Sequence, residues 1–239
     1  GQYDEAQRII GLFNLENQVP LMKGAEKSYD AIVPEISEPV FDGSEAVDFI
    51  IKKAMEVTGE KLILIPVGKL TNIALAIKKE PEIINKIRVV WLGSNYPGPG
   101  EYNLDNDTTA INPVIESGVE FEMVTVRYGQ PSGTAAVTVT RDEVNAALKG
   151  KGPKSNSAIT GRHGGTFTCF GNYSVNLFEH IEMGGNPPSR ALFDMAAVAI
   201  VKNPGWAEKK EIPAPKLQGI GWIVYRVGGR SFLFYPLSP

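Results

Sequence analysis

The chain has 239 residues, 27 acidic against 24 basic, and a formal net charge of -3. That balance speaks against a nucleic-acid or membrane-surface partner. No run of about 18 apolar residues exists to span a membrane, and one cysteine, Cys169, excludes an internal disulfide. The length suits one domain with a sizeable core, and a lone Cys reads first as a small buried residue.

Residues 4–15 place Ala6, Ile9, Ile10 and Phe13 at helical spacing. Residues 24–43 hold Pro34, Pro39, Asp42 and Gly43 and read as a loop or lid. Asp42 followed by Glu45 has the spacing of a capping box. It opens a helix through about Val57, with Val47, Ile50, Ile51, Ala54 and Met55 on its buried face and Gly59 as its stop. Residues 61–68 (KLILIPVG) are a continuous apolar run, the form of a strand buried on both faces. A helix follows over 70–80, a helical turn at Pro81, and a second buried strand over 88–93. Residues 107–117 read as a helix capped by Asp107, and 119–126 (VEFEMVTV) as a third strand. Strand, helix, strand in this rhythm implies right-handed crossovers and a mostly parallel sheet.

The last third is less regular. Thr140 and Glu143 form a second capping box, opening a helix to Leu148. Residues 150–168 are rich in Gly, Ser, Lys and Thr and read as a mobile loop. Helices are expected over 172–183 and 190–201, and a hairpin turning at Gly228-Gly229. The expected fold class is α/β: a mostly parallel, Rossmann-like sheet flanked by helices, with a C-terminal β-hairpin, in one domain over 1–239.

Ligands of an open parallel sheet bind beyond the carboxyl ends of its strands. The first such loop here is Gly68-Lys69-Leu70-Thr71-Asn72. The second runs from Gly93 to Asp107 and is dense in Asn, Asp and Gly. Amides and carboxylates together suit a polyhydroxylated ligand; the same residues are also ordinary turn formers. Their spacing decides between the two.

Residues Val67-Gly68-Lys69-Leu70-Thr71-Asn72-Ile73-Ala74-Leu75-Ala76 resemble the Leu-Gly-Pro-Leu-Thr-Asn-(Ile/Leu)-Ala-Leu-Ala stretch of the nucleoside hydrolase family. Gly93, Asn95, Glu101-Tyr102-Asn103 and Asp107 resemble its next loop, where Glu-Phe-Asn precedes an Asp. Glu116-Ser117-Gly118 and Phe193-Asp194-Met195-Ala196-Ala197-Val198-Ala199 match two later motifs. The order and spacing agree over residues 19–202.

The resemblance implies hydrolysis of the N-glycosidic bond of ribonucleosides to ribose and free base, as in purine or pyrimidine salvage. It also implies a calcium ion that holds the 2′- and 3′-hydroxyls and a water. Carried over by position, Thr71 gives its backbone carbonyl and Asp194 its carboxylate to the metal. Asn95, Glu101 and Asn103 bind the ribose. Glu101 and Asn103, two apart, share a face if the segment is extended. Thr71 also reads as a helix N-cap. The partner implied is a small-molecule ribonucleoside, with a homo-oligomer compatible with the family and localisation open between cytoplasmic and exported.

Two departures stand out. The family's Asp-Thr-Asp-x-Gly-x-Asp-Asp run has no counterpart in this chain. Gly1-Gln2-Tyr3 aligns best with the end of the family's second strand, so the first strand, first helix and second strand are expected to be missing, with Gln2 at a ribose-binding position. The general base is then unassigned. The second departure is Phe193, which stands where several members have a His that protonates the departing base. Phe193 can stack on a base instead, and His163, in Gly161-Arg162-His163-Gly164-Gly165, is the candidate replacement acid. Two alternatives stay open: a catalytically inactive ribose or nucleoside binder, and a hydrolase of another glycoside on the same fold.

Overall fold

The structure, a computed structural model, describes residues 1–224 and 231–234. In chain order its elements are α1 (Gln2–Leu12), α2 (Tyr29–Ile32), α3 (Ser44–Met55), β1 (Leu62–Leu64), α4 (Thr71–Lys79), β2 (Ile87–Leu92), α5 (Tyr102–Asp105), α6 (Ile111–Ser117) and β3 (Glu120–Val124). There follow β4 (Thr138–Thr140), α7 (Arg141–Leu148), β5 (Lys154–Thr160), β6 (Thr166–Cys169), α8 (Phe170–Glu179), β7 (Ser189–Ala191), α9 (Phe193–Lys202), β8 (Lys210–Pro213), β9 (Pro215–Gln218), β10 (Gly221–Val224) and β11 (Ser231–Phe234). They resolve into two compact units. One is made of residues 1–22 and 138–191, the other of residues 23–137 and 192–239.

The larger unit is the α/β unit that the sequence implies. Its sheet has the order β1-β2-β3-β11-β8, with β1, β2, β3 and β11 parallel and β8 antiparallel at the edge. Alternation along β2 sorts its side chains to the two faces. Val89 and Trp91 enter a core with α4, α6, Phe121 and Met123, while Val90 and Leu92 pack with Val124 under Ala196, Ala197 and Ile200 of α9. The two glutamates inside β3 fit because β2 supplies Arg88. Its guanidinium grips the buried Glu122 with two bonds of 3.1 and 2.8 Å. A bidentate pair of this kind satisfies a carboxylate that burial would otherwise penalise.

Four local expectations change. The segment 24–43 is not wholly irregular: it holds α2 and a 3-10 turn at Val33–Glu35. Asp42 does not cap α3, whose N-cap is Gly43. Its carboxylate instead accepts from the backbone N–H groups of Glu26 and Lys27, the latter at 2.7 Å, which ties two ends of that segment together. On α3, Val47 and Ala54 are buried as expected, but Met55 is exposed at the fraying last turn. The antiparallel C-terminal hairpin is β9 with β10, whereas β11 pairs with β3 and β8. The turn expected at Gly228-Gly229 lies outside the described residues.

In the smaller unit, the Thr140–Glu143 capping box opens α7 as the sequence implies. Residues 150–168 are not a loop but the antiparallel pair β5 and β6. Alternating Thr and Ser hid the strands, and the single apolar cross-strand pair, Ile159 with Phe167, fixes which face turns inward. Arg8 and Asn14 of the N-terminal segment donate to the carbonyls of Thr160 and Lys154 at 3.0 Å each.

Candidate functional site

The chemistry-bearing residues of the larger unit sit just beyond its parallel strands, where the fold predicts them. Thr71 stands in the first turn of α4, beyond β1, and is fully buried. It is not the N-cap, which is Leu70. Its hydroxyl donates instead to Asp107 Oδ2. Asp107 also accepts from the backbone N–H of Tyr29 at 2.8 Å and of Thr109 at 3.1 Å, and from the Thr109 hydroxyl at 2.6 Å. Asp107 therefore does not cap α6, which starts at Ile111; it is a buried staple joining three segments.

Beyond β2 the chain bends sharply. Ser94 is buried at φ 71°, and Asn95 accepts from the Tyr128 N–H at 2.8 Å through its Oδ1. Glu101 is the N-cap of α5. Its Oε2 accepts from three backbone N–H groups: Ser94 at 2.9 Å, Asn103 at 3.0 Å and Leu104 at 3.2 Å. This changes how Glu101 and Asn103 meet. The segment is not extended across both residues. Glu101 caps a short helix that carries Asn103 in its first turn, and the cap satisfies the orphan donors of that turn. Asn103 in turn donates through Nδ2 to the Leu92 carbonyl at 3.0 Å, at the end of β2. Both residues are buried, and among the described residues neither Glu101 Oε1 nor Asn103 Oδ1 takes a hydrogen bond. Among the described residues these two acceptor oxygens are left without a donor. Burial pushes the Glu101 carboxyl above its ordinary pKa, against the opposing pull of the three N–H groups.

The third loop, after β3, contributes an aromatic that the motif spacing does not mark. Tyr128 lies against Phe193, edge to face, with centroids 6.2 Å apart. Its signal in the sequence is its place just past the carboxyl end of β3, the position that Thr71 and Asn95 hold beyond β1 and β2. Phe193 opens α9, with Asp194 next to it in the first turn. As a whole Asp194 is exposed, yet the protein around its carboxyl raises its pKa by desolvation. Among the described residues it has no hydrogen-bond or ion-pair partner.

Thr71, Asn95, Glu101, Asn103, Phe193 and Asp194 all belong to the larger unit, whereas Gln2 and His163 belong to the smaller one. Gln2 is exposed at the start of α1. His163 stacks on His180 with centroids 4.4 Å apart and planes within 5°. Cys169 is buried and donates to the Lys151 carbonyl at 3.3 Å. A calcium ion takes roughly 6 to 8 oxygen ligands. The Thr71 carbonyl and the Asp194 carboxylate are two, and among the described residues no three His, Cys, Asp or Glu side chains gather to hold a metal.

The model of the inosine-uridine preferring nucleoside hydrolases matches residues 2–218. This chain belongs to that family. The putative pyrimidine-specific ribonucleoside hydrolase RihB of Shigella boydii is 28% identical over 178 residues, which covers 72% of this chain and 66% of that protein. RihB of Escherichia coli K12 is also 28% identical, over 72% of this chain and 51% of its own length. This nucleoside hydrolase chain thus spans about half to two thirds of the length of the curated relatives it matches. Among solved structures, a plant nucleoside hydrolase has a TM-score of 0.66 at 17% identity, covering 97% of this chain and 79% of that one. The inosine-uridine preferring nucleoside hydrolase of Bacillus anthracis has a TM-score of 0.56 at 21% identity, covering 80% and 59%. Both share its fold.

Proposed function

We propose that this protein hydrolyses the N-glycosidic bond of ribonucleosides, and that the residues beyond β2 hold the ribose. The observation that carries this is a pair of acceptors, Glu101 Oε1 and Asn103 Oδ1, to which no described residue donates, on side chains whose other polar atoms are locked by backbone. Ribose hydroxyls are donors that such acceptors recognise. As the C1′–N bond stretches, positive charge develops on the sugar. A preorganised carboxylate beside it stabilises that charge without having to reorganise. Asn95 offers its amide to the same ligand while its Oδ1 keeps the loop after β3 in place. Phe193 stacks on the base. In this reading Thr71 and Asp194 give two donors of a calcium set that the described residues do not complete. No general base is assigned.

The test is to incubate the protein with a panel of purine and pyrimidine ribosides in the presence of calcium, following both free base and the melting temperature. Release of base supports the hydrolase. Stabilisation by ribose with no release supports the inactive binder instead. No release and no stabilisation overturns both readings.

A further inference from the structure

The segment before α3 contains a strap whose backbone is tied down by side chains. The N–H of Ala25 goes to Asn72 Oδ1 at 2.9 Å, those of Glu26 and Lys27 to the Asp42 carboxylate, and that of Tyr29 to Asp107 Oδ2 at 2.8 Å. The carbonyls of Glu26 and Lys27 both accept from Lys69 Nζ, at 2.7 Å each. One peptide group is therefore held from both sides. Its C=O, on Glu26, meets the ammonium, and its N–H, on Lys27, meets the carboxylate at 2.7 Å. The two groups of a trans peptide point in opposite directions. A cation and an anion thus clasp the strap between them, each through a charge-assisted bond.

Lys69 stands in the loop after β1, two residues before Thr71. The family stretch that this loop resembles has proline there, which brings no side-chain donor. What the clasp holds leads to the sugar site. Past Lys27 the strap reaches Tyr29, whose N–H is one of the donors on Asp107. Asp107 also takes the Thr71 hydroxyl, and its own N–H donates to the Leu104 carbonyl at 3.1 Å. Leu104 belongs to α5, whose first turn carries Asn103 and whose N-cap is Glu101. Glu26 and Lys27 are exposed and Lys69 is half-buried. Charged contacts at the surface contribute little to global stability, so the effect of the clasp falls on the segment it holds.

We propose that Lys69 is a positioning residue of the ribose site. With Asp42 it clasps the Glu26-Lys27 peptide, and the strap so held seats Asp107 and, through it, the short helix that bears Asn103 and its cap Glu101. A site whose parts are in place before the ligand arrives loses less to ordering on binding. The inference rests on the ribose reading above.

Three measurements on the wild type, Lys69→Met and Lys69→Arg test it: D-ribose affinity by calorimetry, amide hydrogen exchange over residues 24–30, and the urea midpoint. Lys69→Met keeps the stem and loses the ammonium. Its amides at Glu26, Lys27 and Tyr29 should exchange about tenfold faster or more. Ribose should bind it about three- to tenfold more weakly, at a urea midpoint close to that of the wild type. Lys69→Arg, which keeps a cationic donor, should recover most of both losses. Unchanged exchange in Lys69→Met means that the clasp does not hold the strap and overturns the inference. Faster exchange with unchanged ribose affinity, or a ribose loss that Lys69→Arg leaves as deep, overturns it as well and leaves the ribose site standing. A midpoint that falls in step with the affinity marks a merely structural residue and has the same consequence. A wild type that binds no ribose overturns the ribose reading and this inference with it.

Discussion

Glu101 holds Asn103 through one carboxylate oxygen, and no described residue donates to the other. Oε2 accepts the Asn103 N–H at 3.0 Å, with Ser94 and Leu104 beside it, and no described residue donates to Oε1. With the first oxygen structural and the second proposed to bind ribose, two substitutions should separate them. Glu101→Gln can keep an oxygen on the three N–H groups while turning the free acceptor into a donor. It should unfold in urea near the wild-type midpoint yet lose tenfold or more in ribose affinity, since a hydrogen bond to a charged group contributes about 1.5–3 kcal/mol. Glu101→Ala leaves buried donors unpaired and should lose about 1–3 kcal/mol of stability as well. Equal stability losses in the two variants, or unchanged ribose affinity in Glu101→Gln, would contradict this division.

The same carboxyl gives a pH signature. Its pKa is raised by burial, so the folded state favours the protonated form. Stability from this group is fully present below the unfolded pKa and is lost as pH rises through the folded one. Unfolding of wild type and Glu101→Gln, measured from about pH 4 to about pH 7, should show the wild type losing stability relative to the variant as pH increases. A relative gain would mean that the three N–H groups outweigh burial.

Asp107 is the second anchor, and it should matter for stability. Asp107→Ala orphans the Tyr29 and Thr109 N–H groups and the buried Thr71 hydroxyl. The expected cost is at least about 2 kcal/mol, and Thr71→Val, which removes one donor and keeps the rest, should cost about 1 kcal/mol. Denaturant midpoints read both, and equal losses in the two variants would show that the staple is not shared.

Gly93 ends β2 against the ring of its neighbour Trp91. A Cβ there would overlap the Trp91 indole, which is buried and donates to the Gly68 carbonyl at 2.9 Å. Gly93→Ala should lose about 1–3 kcal/mol by overpacking, and quenched or shifted Trp91 fluorescence should report the displaced ring. An unperturbed spectrum at wild-type stability would contradict the fit.

Much of the fold is legible in the sequence because pattern and architecture agree. The apolar run around Val90 is the buried central strand that it reads as, whereas the run around Ile63 is a short parallel strand at the sheet edge with Ile63 exposed, not a strand buried on both faces. The motif spacing around Thr71 and Glu101 marks the strand ends. Less legible is the role of each polar side chain once placed. Asp42, Asp107 and Thr71 all have capping chemistry, yet each bonds to a segment distant in sequence, which local spacing cannot show. Glu101 reads as a ribose ligand, and the structure shows it as a helix cap, because a buried first turn must satisfy its N–H groups from somewhere. The β5–β6 pair is hidden because Ser and Thr dominate both strands, and only Ile159 against Phe167 marks an inward face. β11 escapes the hairpin reading because its partners, β3 and β8, lie far from it in sequence or across a different turn.

The most direct test compares the rate of base release from uridine and inosine, with calcium present, by wild type and Glu101→Gln. The account predicts measurable release by the wild type from at least one riboside, falling about a hundredfold or more when the preorganised carboxylate is lost. Release that is the same in the two proteins, or absent from every riboside, would contradict it.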